Sequence, residues 1–217
     1  MSSLVSKYRI RVAFFFWLNI PEWILKRIFT DAGFEEIAAA PPSLTVAPGI
    51  QLAIGPPIRP IASYKSVKVS WNNEKFLLEL NGVVEDVIEG LKVIDTSFNK
   101  FSYPLKKICH YYEITFDPQP VDIDNFVTKL RSKVNLEFPF NGEILKPFSI
   151  SFSNVDEPIT RECFYRWLHI RMDPDANAPQ KRVIIQIIKR DTDFNTVLKF
   201  IEELDTLISN IINYFME

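Results

Sequence analysis

Seven large apolar residues near the end of the chain, Phe194, Val197, Ile201, Leu204, Ile208, Ile211 and Phe215, step alternately by three and four. That spacing lines one stripe of an α-helix and no other regular structure. The pattern predicts a single long amphipathic helix over Asp193–Glu217, with Lys199, Glu202, Glu203 and Asn210 on its polar side. A stripe of this length has to lie on something broad and apolar, which points to a sheet. A surplus of apolar residues at Leu207, Ile212 and Tyr214 gives the same helix a second surface for contact.

The rest of the chain supplies strands. Tyr8–Trp17 is an apolar, aromatic run without alternation, as expected of a strand covered on both faces. Pro21 and Glu22 then open a helix that Gly33 closes, with Trp23, Ile24, Ile28 and Phe29 on its inner side. Six prolines between Phe34 and Ser63, in a flap without charge from Ile37 to Ile58, restrict it to short edge strands, such as Ile50–Ile54, and loops. Its tetrad Pro57-Ile58-Arg59-Pro60 has the form of a PxxP ligand but reads better as an edge-strand loop. Val67, Val69 and Trp71 alternate with polar residues, Asn72-Asn73 turns the chain, and Phe76, Leu78 and Leu80 return it as a hairpin. Val84 to Phe101 then has helical spacing up to Pro104, with Gly90 inside it.

From residue 105 the order recurs. Lys107–Phe116 reads as a strand, Val121–Val134 as a helix, and Glu143–Phe152, Arg161–Met172 and Lys181–Arg190 as three further strands before the final helix. The expectation is an α+β chain of two tandem β-α-β-β-β-α halves, 1–104 (with the flap at 37–63) and 105–217, forming one compact unit. Each half is a twisted antiparallel sheet covered by a long helix, and the two are related by a pseudo-twofold. This element order resembles the tandem fold of the TATA-box-binding proteins and, more loosely, the helix-grip folds. The resemblance concerns architecture alone; function is not carried over with fold.

Charge and motifs narrow the function classes. Lys and Arg total 25 against 27 Asp and Glu, a formal charge of -2, which gives no general footprint for nucleic acid; only Arg9, Arg11, Lys65 and Lys68 on strands speak for it. The run after Arg9 and Arg11 ends at Pro21 and Glu22 without a small-residue cleavage site, and prolines interrupt the one long uncharged stretch, so neither a signal peptide nor a membrane span is expected. With two cysteines, Cys109 and Cys163, in apolar surroundings, the reading is a cytoplasmic protein with reduced thiols. Scarce glutamine beside abundant Ile, Lys, Arg and Glu is compatible with a thermophilic source.

Six glycines leave little to build a phosphate cradle from, and there is no P-loop, dinucleotide fingerprint or nucleophile elbow. Cys109 and His110 are adjacent and point to opposite faces of a strand, so they do not join Cys163 and His169 in a zinc site. Asp173, Asp175 and Asn177 have calcium-loop spacing, yet Ala178 and Ile184 stand where a glycine and a glutamate are needed, so this stretch reads as a hairpin loop. No metal or cofactor is implied. What remains is an aromatic set, Tyr111, Tyr112, Phe164, Tyr165 and Trp167 with His110 and His169 among them, placed to line a sheet face that helices leave free, and its candidate binding residues are His110, Tyr112, Tyr165, Trp167 and His169. The reading is a non-enzymatic binding or protein-interaction module, with a protein partner or a second copy as its ligand. The alternatives are a binder of small apolar ligands on that face and an enzyme pairing one histidine with a carboxylate.

Overall fold

The computed structural model describes residues 8–38, 43–47, 50–53, 58–154 and 164–216. Its centre is one nine-stranded antiparallel sheet. Along the chain the elements are β1 (Arg9–Phe16), α1 (Glu22–Asp31), β2 (Glu35–Glu36), β3 (Ser43–Ala47), β4 (Ile50–Ala53), β5 (Arg59–Tyr64), β6 (Val67–Asn72), β7 (Leu77–Val83) and α2 (Val84–Lys100). They continue with α3 (Leu105–Ile108), β8 (Cys109–Asp122), α4 (Phe126–Lys133), β9 (Phe138–Phe140), β10 (Glu143–Leu145), β11 (Ile150–Ser153), β12 (Leu168–Pro174), β13 (Arg182–Asp191), α5 (Phe194–Glu202) and α6 (Leu204–Met216). The large sheet runs β11-β12-β13-β8-β1-β7-β6-β5-β2, while β3–β4 and β9–β10 form separate two-stranded pairs. Where two sheets were expected there is one, because β1 pairs with β8 from Ile10↔Phe116 to Phe15↔Tyr111.

The pleat sorts side chains between the two faces. Ile10, Val12, Phe14 and Phe16 of β1, Tyr112, Ile114 and Phe116 of β8, and Leu78 and Leu80 of β7 are buried on one face with the helices. Phe14 sits at its centre, with Tyr112 at 5.4 Å and Phe194 at 6.3 Å between ring centroids. Two glycines answer close approaches here. A Cβ at Gly82 would stand 2.9 Å from the Val67 Cα, and one at Gly90 would stand 3.2 Å from the Phe34 ring. The second explains a glycine inside α2, where it otherwise costs about 1 kcal/mol.

Several elements depart from the pattern in the sequence, each for a local reason. The C-terminal helix breaks at Glu203 into α5 and α6, although its stripe persists: Phe194, Val197, Ile201, Leu204, Ile208 and Phe215 are buried and Ile211 is half-buried. The break lets α5 pack on α2, β8 and β13 while α6 turns to α4. In α1, Leu25 joins Ile28 and Phe29 inside, and Trp23 faces solvent. Gly33, at φ +85°, closes this helix with Phe34 N–H bonded to the Phe29 carbonyl, a Schellman ending. The β6–β7 turn is longer than an Asn-Asn pair: Asn72 Oδ1 accepts from the Glu74 and Lys75 amides, and Phe76 takes φ +50°.

In the second half, β8 continues through Pro118 and Pro120 to Asp122. Past Phe116 it pairs only with β13 among the described residues, so its other edge does not need those N–H groups. Helix α4 therefore starts late, after Asn125 at φ +54°. Pro147 divides the expected Glu143–Phe152 strand into β10 and β11, and β12 begins at Leu168, later than the expected Arg161. Of the expected loop Asp173–Pro179, Asp173 and Pro174 still belong to β12 and the β12–β13 loop starts at Asp175, whose Oδ1 accepts from the Asn177 amide and whose Oδ2 pairs with Arg182 at 2.9 Å. The residues around Pro41, Pro42, Pro48, Pro56 and Pro57, and Cys163, lie outside the described residues. No helix among the described residues is long and apolar enough to cross a membrane.

Candidate functional site: an aromatic and ion-paired sheet face

Helices cover one face of the sheet; the other carries a row of rings and a row of charges. At the end of β1, Phe15 lies flat on its cross-strand neighbour Tyr111, centroids 4.2 Å apart and 9° between planes. Beside them Trp17 stacks on His110 at 3.8 Å, and His110 meets Tyr165 at 4.3 Å. A β-bulge makes this arrangement: Phe15 pairs with Tyr111 and Phe16 with Cys109, which leaves His110 as the extra residue. A bulge re-aims one side chain against the alternation. The His110 ring thus joins Tyr111 and Tyr165 while Cys109 stays buried.

Further along the same face, charges alternate from strand to strand. Glu79 on β7 pairs with Arg11 on β1 at 3.4 Å; Arg11 approaches Glu113 on β8 at 3.7 Å; Glu113 accepts from Arg190 Nε on β13 at 2.8 Å. Arg11 also donates to Thr115, and Arg9 to Asn81. Glu79, Glu113 and Arg190 are largely buried, so their ion pairs are less screened than surface ones. Arg190 ties this row to the rings. Its guanidinium lies 4.0 Å from the Phe164 ring centroid and 5.0 Å from that of Trp167, within cation–π range. Trp167 in turn stacks on His169 at 5.2 Å and donates from Nε1 to Ser153.

Of the five residues singled out from sequence, His110, Tyr165, Trp167 and His169 thus lie in this connected ring set. Tyr112 does not. It is fully buried on the helix side, against Phe14 and Phe194, because its register places it one residue out of phase with Tyr111. Tyr111 and Phe164, also in the aromatic set read from sequence, lie here too, whereas Phe15, Trp17, Arg190 and Glu113 belong to the face and were missed. The bulge that turns His110 onto it was the missing signal for Trp17; for Arg190 it was strand register, which no local pattern records.

Burial raises the titration of three groups at this end of β8. Burial pushes the Cys109 thiol up to about 12, against the opposing effect of nearby Tyr112 and the Phe15 and Tyr111 backbone. Burial also raises the hydroxyls of Tyr111 and Tyr112. All three stay protonated and uncharged near neutral pH. Among the described residues no cluster of three or more His, Cys, Asp and Glu side chains could hold a metal ion. Two cavities lie elsewhere: one of about 230 Å³ bounded by Phe152, Ile170, Ile211, Tyr214 and Phe215, and one of about 430 Å³ at Gly33, Glu35, Ser63, Tyr64 and Lys65.

Fold and site together define a mixed α+β protein that presents an aromatic, ion-paired sheet face. No protein-family model, curated protein or solved structure matches the chain.

Proposed function

We propose that this chain is a non-enzymatic protein-interaction module whose helix-free sheet face receives an extended peptide segment of a partner. The carrying observation is the exposed ring set around Arg190: Trp17 and Phe164 are 61% and 47% exposed, and the rings behind them are locked by stacking. Trp, Tyr and Arg dominate binding hot spots because they offer large, stiff contact area with a polar handle. Here the rings are held in place before a partner arrives, which lowers the entropy cost of association.

The chemistry disfavours the alternatives. Of the four cations that spoke for nucleic acid, Arg11 is neutralised by Glu79 and Glu113 and Lys65 by Glu89, and Arg9 bonds the uncharged Asn81, which leaves no continuous stripe of positive charge for phosphates. Rings packed centroid to centroid at 3.8 to 5.5 Å fill the space an apolar small molecule would need. The test is a displayed peptide library panned on the full chain. Selected peptides should bind wild type and lose about 100-fold on Trp17→Ala/Phe164→Ala, a truncation of two anchors. Selected peptides that bind the double variant equally well, or tight binding of an oligothymidine instead, would defeat the reading.

The same proposal includes a duplicated architecture of halves 1–104 and 105–217. Its support is the strand order: β1-β7-β6-β5 runs outward on one side of the central pair and β8-β13-β12-β11 on the other. In both, the first strand is central, the last lies beside it, and the middle two follow outward. An antiparallel β1–β8 pair is what a twofold between the halves requires. On this reading Trp17 and His110, from the two central strands, place the ring set beside the pseudo-twofold.

A further inference from the structure

The most apolar exposed segment is not on the aromatic face. It is an arm: Leu136, Phe138, Phe140, Ile144, Leu145 and Phe148 are 46% to 66% exposed, all within thirteen residues. The arm is built and anchored. Asn141 and Gly142, both at positive φ, close the β9–β10 hairpin as a two-residue turn requires. Glu137 and Lys146 pair at 2.7 Å across its base, and Arg131 on α4 donates to the Pro147 carbonyl. Yet a lone hairpin is marginal in water, and this one shows apolar side chains on both faces: Phe138, Phe140 and Leu145 on one, Ile144 on the other. Such a surface is a place of contact.

The chain also carries the matching receptor. Between α6 and the edge strands β11 and β12 lies the apolar cavity of about 230 Å³ lined by Phe152, Ile170, Ile211, Tyr214 and Phe215. Its rim is basic, with Lys133 over the Tyr214 ring at 4.5 Å and Lys129 reaching Met216. The arm brings Glu143 with its rings, while its Glu137 is paired with Lys146. Shape class and charge are therefore complementary between two parts of one chain, and the arm's own exposure shows that it does not fill its own groove.

We propose that the β9–β10 arm is an exchange arm: in a homodimer, the arm of one protomer lies in the α6/β11–β12 groove of its partner, and reciprocally. Reach allows it, since six extended residues from Leu136 to Asn141 span about 20 Å. Area allows it too. The face that can enter the groove, Phe138, Phe140 and Leu145, offers on the order of 300 Å² per arm, and reciprocal exchange buries on the order of 1,200 Å² in total, the lower end of the range for a specific interface. Reciprocity closes the pair under a twofold, whereas one-way docking would polymerise.

The experiment is sedimentation of the full chain across concentration. Wild type should be a dimer. Phe138→Asp/Phe140→Asp in the arm and Tyr214→Asp at the groove should each weaken dimerisation by at least about 100-fold, and circular dichroism should be unchanged because all three side chains are exposed. Mixing the two variants should restore a dimer, since one intact arm then meets one intact groove. A wild type that stays monomeric at roughly millimolar concentration, including one that takes up a different partner on the arm, overturns the proposal. So does a dimer indifferent to the arm, or two monomeric variants whose mixture fails to associate.

Discussion

The two faces of the central sheet use aromatic side chains from the same two strands in opposite ways. On the helix side, Phe14, Phe16 and Tyr112 meet one another and Phe194 at tilts of 33° to 80° and are buried. On the free side, Phe15 with Tyr111 and Trp17 with His110 lie nearly flat on each other, with the Phe164 and Tyr165 rings against them. A sheet normally buries an apolar face under helices or another sheet. Here the free side is closed by its own stacked rings and by ion pairs between strands. One face is thus sealed by tertiary packing, the other by neighbours in the sheet, and perturbing them should have unequal effects.

Phe14→Ala tests the sealed face and should have the largest effect, about 3–5 kcal/mol of stability in chemical denaturation. A loss under 1 kcal/mol would mean that the helices do not depend on that ring. Glu113→Ala removes the carboxylate shared by Arg11 and Arg190 and should cost about 1–3 kcal/mol, less at high salt. If its cost does not depend on salt, ion pairing is not what closes the free face.

The covering helix α5 starts at Asp193, whose carboxylate accepts from the Thr196 amide and hydroxyl. Those bonds hold its pKa below the usual carboxylate value. A depressed folded pKa gives stability that is present above the unfolded pKa and lost as pH falls through the folded one. Asp193→Ala should therefore cost about 1 kcal/mol at neutral pH and less in acid, whereas Asp193→Asn should keep most of the cap without that acid dependence. Trp17→Ala should be smallest in stability, within about 0.5 kcal/mol at an exposed site, while still weakening peptide binding.

Periodicity made most of the elements legible, because burying one face of a helix or strand leaves a spacing in the chain. The stripes at Val84–Phe101 and Phe194–Phe215 and the alternation at Val67–Trp71 are of this kind. What stayed hidden depends on pairing between distant segments. Tyr112 alternates with Ile114 and Phe116 while Tyr111 shares its side with Glu113 and Thr115, so that phase was open to a reading of the strand alone, but which strands meet on either side of it was not. The bulge at His110 exists only relative to β1, and Arg190 acquires its role only when Glu113 is seventy-seven residues away in sequence and 2.8 Å away in space. The arm at Phe138–Leu145 was hidden for another reason: its residues look like core, and only the fold shows them outside.

Cys109, at the point where β8 enters its pairing with β1, gives the molecule a built-in clock. Its thiol is buried, donates to the Phe15 and Tyr111 carbonyls, and is pushed up to about 12, so an alkylating reagent cannot reach a thiolate while those strands stay joined. In a Cys163→Ser background, the rate of alkylation at Cys109 would measure how often this seam opens. If it opens only with global unfolding, the rate should track denaturant stability; if the two sides of the sheet can part locally, labelling should run ahead of it.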